Sequence, residues 1–172
     1  MKAIVTAALT SALIFAVGLP IIASRQATPP ALPTTLEVQQ ADQLWSELAQ
    51  LQSSAVDLGT EAFLHASIVR TTEFLQADAK SGAQFESATR QALQELRDAR
   101  ARMEQIHSGL DGMLDGAASI ATQRAAWSAW QESQAEAAET LAGVLDPSPR
   151  HGLLAEKALF WLLTLDYGAR PR

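Results

Sequence analysis

Cysteine is missing from this chain of 172 residues. Its absence excludes disulfide bonds, thiolate metal sites, a cysteine nucleophile, thioether-linked haem and a lipid-modified N-terminal cysteine. Basic residues are also few, since 13 lysines and arginines stand against 19 acidic residues and give a formal net charge of -6. Because a protein needs a basic surface to bind phosphate groups, we do not expect nucleic acid as a partner.

Signatures of catalysis are absent as well. The sequence contains no Gly-x-Ser-x-Gly elbow, no phosphate-binding loop and no strand–glycine–helix unit for a dinucleotide. Residues that favour strands are sparse, and no stretch alternates convincingly between apolar and polar positions. We therefore expect an all-α protein that is not an enzyme and that binds no cofactor.

The N-terminal segment is the longest apolar run of the chain. Residues 3–24 carry no charge, and about 20 such residues can cross the hydrocarbon core of a bilayer as a helix. We expect residues 1–24 to be a transmembrane anchor in the inner membrane and the bulk of the chain to lie in the periplasm. Three prolines in residues 25–35 predict an extended linker between the anchor and the rest of the chain.

A cleaved secretory signal is the alternative interpretation of the same segment. Cleavage near Ala23 would release the rest of the chain into the periplasm, but it would place Ile21 where signal peptides have a small residue. The apolar run is also longer than the usual core of a signal peptide. We therefore prefer the anchor.

Residues 36–168 are rich in residues that favour helices and predict an antiparallel up-and-down four-helix bundle. Thr34 and Glu37 form a capping box at the start of the first helix, which we expect to extend to about residue 78 with a kink at Gly59. Ser81 is the predicted N-cap of the second helix. Ser148, followed by a proline, is the predicted N-cap of the fourth.

Apolar residues spaced by three and four positions predict the seams that the helices bury. On the first helix the seam continues beyond Gly59 through Ala62, His65 and Val69. On the third and fourth helices it includes Trp127 and Trp161. We expect all of these seam residues to lie in the core.

Histidines are the only side chains that suggest a metal site. Glu104 and His107 have the Glu-x-x-His spacing of di-metal bundles, and Glu61 lies one helical turn from His65. A complete site needs a second Glu-x-x-His and further carboxylates, which the sequence does not offer. We therefore expect no metal, and a buried His65 that bonds to Glu61 or to a facing backbone group.

Residues 95–105 contain a run of charged residues. Asp98 with Arg102, and Arg100 with Glu104, are four positions apart and predict a solvated, salt-bridged helix face.

Tryptophan is unusually frequent, with four residues against one tyrosine. Trp45 and Trp130 lie at the edges of the predicted seams rather than in them. A core position is the first expectation for both. Because exposed tryptophans are enriched at the centres of protein interfaces, these two are also the candidate partner-binding residues.

The sequence thus predicts a non-enzymatic, membrane-anchored periplasmic bundle that serves as an accessory or assembly subunit of a membrane protein complex. A periplasmic bundle that binds a small ligand or a client chain is the alternative. A bundle metalloprotein is a third, weaker one, which depends on Glu104 and His107 alone.

Overall fold

A computed structural model describes residues 31–55, 59–110 and 116–168. The predicted anchor and most of the linker, residues 1–30, lie outside the described residues. The described residues form six helices and no strand, which confirms the all-α class. The helices are α1 (Thr35–Ser53), α2 (Thr60–Leu75), α3 (Ala79–Leu110), α4 (Gly116–Ala142), α5 (Pro149–Glu156) and α6 (Ala158–Gly168).

The first two helices are antiparallel, so the prediction of one long first helix is wrong. Nε of Arg70 in α2 lies 3.9 Å from Oε2 of Glu47 in α1. In one continuous helix these two residues would be about 35 Å apart. Gly59 precedes α2 with φ 76° and ψ 157°, a conformation that residues with a side chain rarely adopt. The kink expected at Gly59 is therefore a reversal of the chain.

The connection from α2 to α3 is short and begins with Gln76, which has a left-handed conformation. The carboxylate of Asp78 accepts a hydrogen bond of 2.7 Å from the backbone N–H of Ser81. Asp78 therefore caps α3, three residues before Ser81, the N-cap that the sequence predicted. Nη1 of Arg90 in α3 lies 3.2 Å from Oε2 of Glu61 near the start of α2, which shows that these helices are antiparallel too.

Helices α5 and α6 replace the single fourth helix of the prediction. The hydroxyl of Ser148 caps α5 and Pro149 occupies its first turn, as predicted. The chain then breaks at Lys157, whose φ of -106° and ψ of 13° lie outside the helical range. The short, apolar α6 contacts α1, α2, α3 and α4. The described residues form six helices, four of which contact α6, and they do not confirm the expected four-helix bundle.

The core consists of side chains from all six helices packed around α6. Trp161, Leu162 and Leu165 of α6 are fully buried, and for Trp161 this confirms the prediction. The ring of Phe85 in α3 lies 5.2 Å from that of Trp161. Among the described helices, none has the length and hydropathy needed to cross a membrane.

The predicted seam fails in α2, where His65 is exposed rather than buried. The buried face of α2 instead contains Phe63, Leu64 and Ile68. Because α2 begins anew after the reversal at Gly59, the spacing of apolar residues in α1 does not fix the phase of α2. The expectation that His65 is a core residue is therefore wrong.

In α4 one tryptophan is exposed and the other is buried. Trp127, predicted to lie in the core, is 55% exposed, whereas Trp130 is only 7% exposed. The buried face of α4 runs through Ala126, Trp130, Ala137 and Leu141. Its small alanines allow α4 to pack closely against α3.

Candidate protein-interaction site

An exposed group of aromatic side chains lies where α1 meets α6. The rings of Trp45 and Phe160 pack edge to face with their centres 5.8 Å apart. Nζ of Lys157 lies 5.3 Å from the centre of the Trp45 ring, within the range of a cation–π contact. Trp45 is half-buried, whereas Phe160 is 60% exposed. We call Trp45, Lys157, Phe160 and Tyr167 the aromatic face.

Local sequence explains why Phe160 and Tyr167 are at the surface. They are seven residues apart in α6, so they share one side of the helix. The opposite side carries Trp161, Leu162 and Leu165, which fill the core. Tyr167 is 57% exposed at the end of α6.

A buried ion pair lies beneath Tyr167. Nη1 of Arg100 in α3 pairs with Oδ2 of Asp166, and both side chains are almost inaccessible to solvent. The guanidinium carbon of Arg100 also lies 5.3 Å from the Trp130 ring and 5.4 Å from the Tyr167 ring. Nε of Arg97 lies 3.8 Å from Oδ1 of Asp166. The ion pair thereby connects the end of α6 to α3, with Trp130 of α4 against its arginine.

The structure therefore separates the two tryptophans predicted to bind a partner. Trp45 belongs to the aromatic face, where it is half-buried. Trp130 is buried, which agrees with the core position expected first for it and not with a partly exposed partner-binding position. Its ring lies against Arg100, which also contacts Tyr167. Sequence analysis missed Phe160 and Tyr167, although both are large side chains that lie off the predicted seam of the last helix.

The indole nitrogen of Trp45 adds a further feature. Nε1 is buried and has no hydrogen-bond acceptor within the described part of the chain. Nearly all buried polar atoms in proteins have a partner, so this donor is an exception.

The charged run of residues 95–105 does not form the predicted solvated face throughout. Arg100 is buried against Asp166 instead of pairing with Glu104. Asp98 accepts a hydrogen bond of 2.8 Å from Nε2 of Gln94.

The residues of the predicted metal motifs remain dispersed. Glu61 pairs with Arg90 of α3, and Nδ1 of His107 lies 3.0 Å from the carbonyl oxygen of Met103. His65 and Glu104 are exposed. Within residues 31–55, 59–110 and 116–168, no group of three or more histidine, aspartate or glutamate side chains could hold a metal ion.

His151 is the buried histidine of the described chain, at 6% exposure, and it joins three segments. Nδ1 lies 3.0 Å from the backbone nitrogen of Asp146, and Nε2 lies 3.3 Å from the carbonyl oxygen of Leu75. Nη1 of the neighbouring Arg150 donates a hydrogen bond of 2.9 Å to the carbonyl oxygen of Phe74. These side chains satisfy carbonyl groups that the end of α2 would otherwise leave without a partner.

Comparison with protein-family models, with curated proteins and with solved structures finds no match for this chain. The candidate site therefore depends on the geometry of the aromatic face alone.

Proposed function

We propose that this chain is a non-enzymatic accessory or assembly subunit of a membrane protein complex. In this proposal residues 3–24 anchor it in the inner membrane, and the helical part lies in the periplasm. The aromatic face binds a neighbouring subunit of the complex.

The exposure of Phe160 beside Trp45 is the observation that supports the proposal. An aromatic side chain that is 60% exposed contributes little to the core, yet it keeps a large apolar area in contact with water. Burial of that area by a partner would be favourable. Tryptophan, tyrosine and arginine are the residue types most enriched among the interface residues that dominate binding energy.

The anchor supports the choice of partner. An uncharged run of 22 residues, positions 3–24, is long enough to hold the chain in a bilayer. Confinement to one membrane raises the effective concentration of a subunit that shares it. A modest contact area can then give a stable complex.

Affinity purification from gently solubilised membranes tests the proposal. Phe160→Ser should reduce recovery of the stoichiometric partner, because loss of an interface anchor typically weakens binding by at least about 30-fold. Ile120→Ser is the matched control, since Ile120 is 59% exposed but lies in α4, about 15 Å along the helix from Trp130. Equal recovery with both variants at matched folded protein would reject the aromatic face as the binding surface.

The same preparation tests the anchor. Intact-mass analysis should find the complete N-terminus in the membrane fraction. A mature chain that begins near residue 24 and remains soluble would contradict the membrane location.

A further inference from the structure

The side chain of His151 faces two partners that require opposite protonation states of the same nitrogen. The backbone N–H of Asp146 points at Nδ1 over 3.0 Å, and an N–H can donate only to an unprotonated nitrogen. Oδ1 of the same Asp146 lies 3.2 Å from Nδ1, and a carboxylate can accept only from a protonated nitrogen. Each contact therefore belongs to a different protonation state of Nδ1.

The partner of the second ring nitrogen determines which tautomer the neutral imidazole adopts. Nε2 lies 3.3 Å from the carbonyl oxygen of Leu75, which can only accept a hydrogen bond. Nε2 therefore carries the proton and donates to Leu75, and Nδ1 is free to accept from the Asp146 amide. Because this bond to Leu75 is available in both charge states, it holds the ring in place while Nδ1 changes partner.

The interactions around Asp146 keep its carboxylate ionised, so that it can accept a hydrogen bond from a protonated Nδ1. Burial raises the pKa of Asp146, but hydrogen bonds from the side chain and the backbone of Ser148, together with the charge of a protonated His151, lower that pKa overall. The backbone N–H of Ser148 donates to Oδ1 over 3.0 Å. Asp146 is thus ionised throughout the range in which histidines gain their proton.

The charged and polar groups of this environment come from α1, α2, α5 and the connection that follows α4. On α5 itself Arg150 is the neighbouring cation, and its Nε lies 4.0 Å from Oε1 of Glu37 in α1. Helix α2 presents its terminal carbonyl groups, whose partial negative charge favours a cation. Glu73 of α2 is paired with Arg70, and Asp146 itself lies in the connection that follows α4.

We propose that His151 is a pH-sensitive switch in the connection between α4 and α5. At neutral pH Nδ1 of the imidazole accepts a hydrogen bond from the backbone N–H of Asp146. This bond holds the connection in the described conformation. When Nδ1 takes up a proton from the solvent, it donates to the Asp146 carboxylate instead, and the amide of Asp146 is released to water. The switch acts at the end of the molecule where α2 ends and α5 begins.

Nuclear magnetic resonance of the full-length chain in a mild detergent tests the proposal. At pH 8 the ring nitrogens of His151 should show a proton on Nε2 and none on Nδ1. Between pH 8 and pH 5 Nδ1 should gain a proton. The hydrogen-exchange protection factor of the Asp146 amide should fall at least tenfold.

Two variants serve as controls. His151→Gln cannot gain a charge, so the protection factor of the Asp146 amide should no longer change with pH. His65→Gln alters an exposed histidine and should leave the change intact. The proposal is overturned if Nδ1 carries the proton at pH 8. It is also overturned if the protection factor is constant from pH 8 to pH 5 in the unmodified chain, or falls equally in His151→Gln.

Discussion

The ring of Phe63 occupies the space that a side chain on Gly168 would need. A Cβ atom placed on Gly168 would overlap the end of that ring. Phe63 is completely buried near the start of α2, and Gly168 is buried at the end of α6. The absence of a side chain at position 168 therefore lets α6 approach α2.

This contact predicts that Gly168→Ala destabilises the fold. A buried ring has no free volume to move into, so overpacking should lower the free energy of unfolding by about 1–3 kcal/mol. Urea denaturation measures the change. Phe63→Leu in the same chain should make Gly168→Ala less harmful, and simple additivity of the two substitutions would argue against a direct contact.

The ion pair between Arg100 and Asp166 predicts a strong effect of its removal. Arg100→Leu leaves a buried carboxylate without its closest partner and should lower the free energy of unfolding by about 3–5 kcal/mol. Arg102→Leu, an exposed residue on the same helix, should change stability by less than about 0.5 kcal/mol.

A double variant separates the ion pair from simple packing. Arg100→Leu combined with Asp166→Leu removes both charges, and much of the lost stability should return. If the double variant loses as much free energy of unfolding as the two single variants together, the interaction between the charges does not stabilise this part of the fold.

The cap of α3 predicts a dependence of stability on pH. Backbone and side-chain hydrogen bonds from Ser81 lower the pKa of Asp78 in the folded chain below its ordinary value. The ionised carboxylate therefore stabilises the fold above the pKa of the unfolded chain, and this contribution is lost as pH falls through the folded pKa. At pH 7 Asp78→Asn should melt at a lower temperature than the unmodified chain. In acid, where Asp78 is protonated, the two melting temperatures should converge.

Melting curves of both chains from pH 7 down to the acid limit of the folded state provide the measurement. A difference between the two chains that does not change with pH would show that the charge of Asp78 is unimportant.

Features that depend on a few neighbouring residues could be predicted from the sequence. The capping box at the start of α1 is present, with a hydrogen bond of 2.8 Å from the N–H of Thr34 to the carboxylate of Glu37. The cap at Ser148 is present as well. Such hydrogen bonds form within one turn, so they need no knowledge of the remaining chain.

Features that depend on distant residues could not be predicted. Arg100 is buried because Asp166 lies beside it in space, although 66 positions separate them in the sequence. The spacing of apolar residues in α4 alone favoured Trp127 over Trp130 for the core. The packing of Trp130 against Arg100 decides otherwise.

The candidate site shows the same division. Trp45 could be recognised because it lies at the edge of a regular seam. The exposure of Phe160 also follows from its position off the seam of the last helix. Its contact with Trp45 could not be predicted, since it depends on the packing of α1 against α6.

The reversal of the chain between α1 and α2 gives the last prediction. Gly59 has φ 76° and ψ 157°, a combination that is essentially restricted to glycine. Gly59→Ala should therefore lower the free energy of unfolding by about 1–3 kcal/mol, although a Cβ atom there would have no atom within 4 Å among the described residues beyond its chain neighbours. Gly152→Ala is the matched control, because Gly152 lies exposed within α5 and also has open space around it. There alanine favours the helix and should raise the free energy of unfolding by about 0.5–1 kcal/mol. Denaturant titration of the two variants should give shifts of opposite sign. A neutral or stabilising Gly59→Ala would mean that α1 and α2 can join without this conformation, and the reversal would then need another cause.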